Sequence, residues 1–143
     1  MQFQKPEPGC VISYSYLLRY EHTGGHEEGR KNRPCVIILA TEVQDDDIIV
    51  TVAPITHQFP KSADACIEIP PRVKAYLNLD DERSWVILNE VNQFTWPGYD
   101  VRPVPGNSNR YDFGFIPPRL FDQIKTKIID IYSKDCSVII SRD

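Results

Sequence analysis

The sequence predicts a small, mainly β domain with appended α, a strongly curved β-barrel of short strands with a C-terminal helix. Three observations carry this. Five to seven short runs are rich in β-branched and aromatic residues. Turn-forming residues, twelve prolines and seven glycines among them, punctuate the chain between those runs. Strong helical periodicity is confined to a segment near the C-terminus. A closed or nearly closed sheet is how many short strands cover their edges. The chain of 143 residues reads as a single domain, 1–143, long enough to bury a core.

Taken in order, residues 1–8 carry Pro6 and Pro8 and read as an irregular arm. Residues 9–18 alternate, with Ile12, Tyr14 and Tyr16 on one face and Ser13 and Ser15 on the other, which predicts a half-buried strand. Residues 19–33 form a charged, glycine-punctuated loop. Cys35 to Thr41 is the next strand, with Pro34 at its start, where no ladder bond is lost. Asp45-Asp46-Asp47 is a turn. Ile48 to Ile55 returns, so the pair forms a hairpin. A polar loop, His57 to Asp64, contains Pro60. Ala65 to Ile69 is a short strand, and Pro70-Pro71 opens a short helix, Arg72 to Leu77. Asn78 to Arg83 is an acidic connector. Ser84 to Leu88 is a strand that Val91 to Trp96 continues or pairs with. Residues 97–110 hold Pro97, Gly98, Pro103, Pro105 and Gly106 and make the longest irregular region.

Pro117-Pro118 starts the clearest helix. Leu120, Ile124, Ile128 and Ile131 recur at helical spacing with Phe121 and Tyr132 beside them, while Asp122, Lys125 and Asp130 take the wet face. Ser137 to Ile140 reads as an edge strand or a packed tail.

The formal net charge is −4, from 20 acidic and 16 basic residues, which argues against a wholly basic nucleic-acid coat. It leaves room for a local basic site, and Arg30, Lys31 and Arg33 crowd together. The four cysteines contain no Cys-x-x-Cys pair, so a zinc ribbon or thioredoxin motif is excluded. Cys10, Cys35 and Cys66 lie in apolar runs and read as reduced core residues. With no apolar signal region at Met1 to Pro6 and no apolar run of membrane-spanning length, a cytoplasmic protein is expected. His22 and His26 have helical metal spacing, but Thr23-Gly24-Gly25 opposes a helix there. Asp45-Asp46-Asp47 lacks the glycine and terminal glutamate of a calcium loop. No cofactor and no metal site is expected.

Arg33 should stand at the mouth of a rigid strand beside a charged loop. A guanidinium so fixed suits an anion, above all a phosphate. Its bland alternative is an ion pair with a surface carboxylate. Phe94 and Trp96 are candidates for stacking on a base, with core packing the commoner role.

The order of these segments resembles the MazF/PemK family of toxin ribonucleases. Its early loop, roughly Gly-x-Glu-Gln-x-Gly-x-Arg-Pro before an apolar strand, is matched in order by Gly25, Glu27, Gly29, Arg33 and Pro34. Glu28 stands where the family often has Gln, and one extra residue lies before Arg33. Pro8 to Ile12 resembles the family's first strand, Val52-Ala53-Pro54-Ile55-Thr56 its strand ending in Pro-Ile-Thr, and Ser84 to Val91 its later strand pair. The resemblance covers about Pro8 to Tyr132. It implies an SH3-like barrel of the CcdB/MazF kind and a metal-independent endoribonuclease that cuts single-stranded RNA at selected sequences. It further implies the toxin of a type II toxin–antitoxin pair, causing growth arrest, as a homodimer neutralised by a cognate antitoxin.

RNA cleavage of this kind proceeds by attack of the 2′-hydroxyl on phosphorus and departure of the 5′-oxygen. It needs a base, an acid and a cation or donors for the developing charge. The resemblance carries catalytic roles onto Arg33 and Thr56. His57, beside Thr56, has the imidazole that acid or base work near neutral pH requires, against the alternative of a solvent-exposed loop residue. Glu27 and Glu28 are candidates for a general base, for contacts to base edges or for holding Arg33 in place, and Arg30 and Lys31 for RNA binding. Two other readings of the barrel stay open. One is a toxin that binds DNA gyrase without cutting anything, and the other is a catalytically silent binding module.

Overall fold

The computed structural model describes residues 2–16, 31–58, 62–134 and 138–141. Among the described residues, eight strands and two α-helices follow one another: β1 Cys10–Tyr16, β2 Lys31–Glu42, β3 Ile48–Thr56, β4 Cys66–Glu68, α1 Pro71–Tyr76, β5 Trp85–Ile87, β6 Glu90–Thr95, β7 Asp112–Phe115, α2 Pro118–Lys134 and β8 Val138–Ser141. They form a curled, mostly antiparallel half-barrel closed off by the C-terminal helix. The strand order is β4-β5-β3-β2-β1-β7, with β6 also on β3 and β8 parallel to β6. None of the described helices is long and apolar enough to cross a membrane.

β3 serves three neighbours along its length. Cys35 to Glu42 of β2 run beside it from Pro54 back to Ile48. Ile49 to Val52 pair with β6, whereas Ile55 and Thr56 pair with Val86 and Trp85 of β5. The β2–β3 ladder ends at Cys35–Pro54. Pro34 explains the end. Opposite it on β1, Ser13 donates its N–H to the Tyr111 carbonyl and accepts from the Arg102 N–H, so this pair does not bond across β1–β2. The backbone of Pro34 therefore faces β3, where it has no N–H to offer. Beyond this point β3 turns to β5 and the two strands part.

Both faces of the sheet are covered. Val11, Val36, Ala53, Ile55 and Val86 pack with Leu120, Ile124 and Ile128 of α2. On the opposite face Ile12, Tyr14, Cys35, Ile37, Val52 and Phe94 form a second core. Alternate residues of β2 thus enter different cores, which is why the run reads as continuously apolar. Tyr14 stacks on Phe94 with ring centroids 4.8 Å apart. Trp85 packs with Cys66 and Ile87 in a satellite cluster.

The sequence reading needs four corrections here. β1 is buried along its whole length, Ser13 and Ser15 included, where a half-buried strand was expected. Alternation alone could not show the second layer. β2 starts at Lys31, so Arg33 lies inside the strand rather than at its mouth. β6 pairs with β3, not with β5. β7 was not anticipated. It is four residues long and carries Gly114 at φ 113°, a conformation that side chains rarely adopt and that dilutes a strand signal. Residues 97–110 are irregular as expected, and the segment runs along β1 through Val101–Tyr14.

Candidate active site

An open cleft of about 730 Å³ forms where β2 and β3 part. Asn32, Arg33 and Pro34 line it from β2, Ile55 and Thr56 from β3, and His57 and Gln58 from the residues that follow. Its other walls come from Ser13, Phe113, the prolines 103 and 105, α1 and the connector after α1. Carrying the Cys35–Pro54 register two residues further sets Arg33 level with Thr56.

Arg33 is half-buried. Its neighbour on the same side of β2 is the Cys35 thiol, which burial pushes well above the ordinary range while the Arg33 charge acts the other way. Thr56 Oγ1 accepts the Gln58 N–H at 3.1 Å, which turns the chain sharply after β3. That bond uses an oxygen lone pair and leaves the hydroxyl proton available.

His57 is held, not loose. Its Nε2 lies 2.6 Å from Asp80 Oδ2 and its Nδ1 3.3 Å from Glu82 Oε2. Asp80 Oδ1 accepts from Lys74 Nζ at 2.7 Å and from the Glu82 N–H at 3.1 Å. Lys74 is 5% exposed in its side chain and also donates to Ser84 Oγ at 2.7 Å and to the Glu82 carbonyl. A buried ammonium needs such a complete set of acceptors. Burial pushes the Asp80 carboxyl up, but the Lys74 and Glu82 hydrogen bonds and the charges of His57 and Lys74 outweigh it, and the group lies below the usual range.

Among the described residues, His57, Asp80 and Glu82 are the one trio of His, Cys, Asp and Glu whose ligand atoms come within 4.8 Å of one another. Each carboxylate meets a different ring nitrogen, and Lys74 already holds Asp80. Sequence spacing did not bring the trio to notice, because its members lie on two segments.

Of the candidates named from sequence, Arg33, Thr56 and His57 come together in the cleft. Lys31 is the first residue of β2. Glu27, Glu28 and Arg30 lie outside the described residues, as do His22 and His26. Phe94 is buried in the second core. Lys74, Asp80, Glu82 and Ser84 were not singled out. The only signal for them was the run of acids in the connector, which reads equally well as solvated surface.

A family model described as the PemK-like, MazF-like toxin of type II toxin-antitoxin systems matches residues 16–132. No curated protein matches the chain.

Proposed function

From the premise that the chain belongs to the PemK-like, MazF-like family of type II toxins, we propose that it is a metal-independent endoribonuclease. It cleaves single-stranded RNA at selected sequences and arrests growth until a cognate antitoxin covers the cleft. The working form is a homodimer. The observation that carries this reading is the common cleft of Arg33 and Thr56, two strands that part to present a cation and a hydroxyl at the same level. Transesterification by the 2′-hydroxyl builds charge on the phosphorane oxygens. A guanidinium can meet two of these oxygens at once, and a fixed hydroxyl adds a directed bond that strengthens as the charge grows. Both groups are supplied by the chain itself, so no step requires a divalent ion.

The test is Arg33→Ala at matched soluble expression. Loss of RNA cleavage and of growth inhibition, with the fold retained, is the expected result. Equal toxicity of the two proteins would refute the reading and favour a toxin that acts by binding a target.

A further inference from the structure

The ring of His57 has both nitrogens engaged, by two carboxylates that are not equivalent. Only the doubly protonated imidazolium can donate to Asp80 and Glu82 together. Asp80 is anchored through its second oxygen to the buried Lys74 and through the Glu82 N–H to the connector. The Glu82 carboxylate is 69% exposed, and among the described residues the ring is its one ion-pair partner. Nε2 therefore faces a fixed acceptor and Nδ1 a displaceable one. The ring lies in the cleft beside Thr56, and the charged residues Arg33, Lys74 and Asp80 line the same space.

We propose that His57 is the general acid of the cleavage reaction, and that Asp80, anchored by Lys74, is the residue that positions it. This rests on the reading of the cleft as an RNA-cleaving site. In the step, the 2′-oxygen bonds to phosphorus while its proton passes to water. The bond from phosphorus to the 5′-oxygen breaks, its electron pair goes to that oxygen, and the oxygen takes the proton of His57 Nδ1. The imidazole regains a proton from solvent. The products are a 2′,3′-cyclic phosphate end and a 5′-hydroxyl end. Glu82 occupies Nδ1 in the free protein and swings out as the RNA enters. Asp80 keeps the ring aimed throughout, because Lys74 holds it from below. Lys74 and Asp80 touch no substrate and act through the ring.

The experiment is a single-turnover pH–rate profile on a mixed-sequence single-stranded RNA. It compares wild type, Arg33→Ala, His57→Gln, Asp80→Asn and the His57→Gln/Asp80→Asn double variant. Wild type should slow on the alkaline side as the acid loses its proton. His57→Gln should lower the rate about a hundredfold and abolish that alkaline limb. Asp80→Asn should slow the chemical step while RNA affinity stays near that of wild type, because the ring loses its fixed acceptor. In the double variant the second change should add nothing. A folded His57→Gln protein with the limb intact overturns the proposal, even where Asp80→Asn, which deprives buried Lys74 of a partner, does not fold. Fully additive losses in the double variant also overturn it. A wild type that cuts no RNA refutes the function proposed above. Cleavage that Arg33→Ala removes and His57→Gln leaves unaltered refutes the general acid alone.

Discussion

Thr56 illustrates how a single residue is prepared by the backbone around it. Its oxygen accepts the Gln58 N–H, and the hydroxyl proton stays free to donate. Replacing it with valine keeps the shape and removes both the donor and the acceptor of the Gln58 N–H. Thr56→Val should cost about 2–4 kcal/mol of transition-state stabilisation, read as kcat/KM on RNA. The salt dependence of RNA binding should stay as in wild type, since a neutral hydroxyl neutralises no phosphate. A loss of binding equal to the loss of rate would contradict this. The cysteines give a second residue-scale expectation. Burial raises the Cys10 thiol to about 12 and lifts Cys35 further still, so neither forms thiolate near neutrality. A thiol-specific reagent should modify them only as fast as the chain unfolds. Arg33 and Thr56 drew notice in the sequence as candidates because one precedes Pro34 and the other closes the run Pro54-Ile55-Thr56. The partners of His57 did not, because Asp80 and Glu82 reach it from another part of the chain.

At the scale of elements, the helix α2 was the most legible part of the fold. Leu120, Ile124 and Ile128 are buried as the spacing predicts. Ile124 is fully buried, and Ile124→Ala should lower the unfolding free energy by about 2–5 kcal/mol, measured by denaturant titration. The hairpin of β2 and β3 was legible too, through its acidic turn. Burial of the polar face of β1 was not, because a strand's own pattern cannot report what packs over it. The connector after α1 has a stability signature of its own. Asp80 sits below its ordinary range, so its contribution is present above the unfolded carboxylate value of about 3.9 and is lost as pH falls through the lowered one. Asp80→Asn should therefore weaken the loss of stability on acidification below about pH 4. An unchanged acid unfolding profile would contradict it.

For the whole molecule, a half-barrel of short strands leaves surface to cover, and large side chains such as Tyr99 and Ile129 stand exposed. The proposed homodimer should appear in light scattering as twice the chain mass across micromolar concentrations, and a single-chain mass would count against it. Cleavage should persist in EDTA, since the proposed route draws its charges from Arg33 and its neighbours. Activity lost to chelator and restored by a divalent ion would contradict the metal-independent route.

Pro34 has one more effect, on fidelity of assembly. Slipping β3 by two residues so as to lengthen its ladder would set Pro34 opposite Ala53, where β3 would find no donor. Slipping by one would send alternate side chains to the wrong core. The misaligned hairpins that would part Arg33 from Thr56 are thus penalised before any other strand joins. One imino acid acts as a gauge block for the spacing across the cleft.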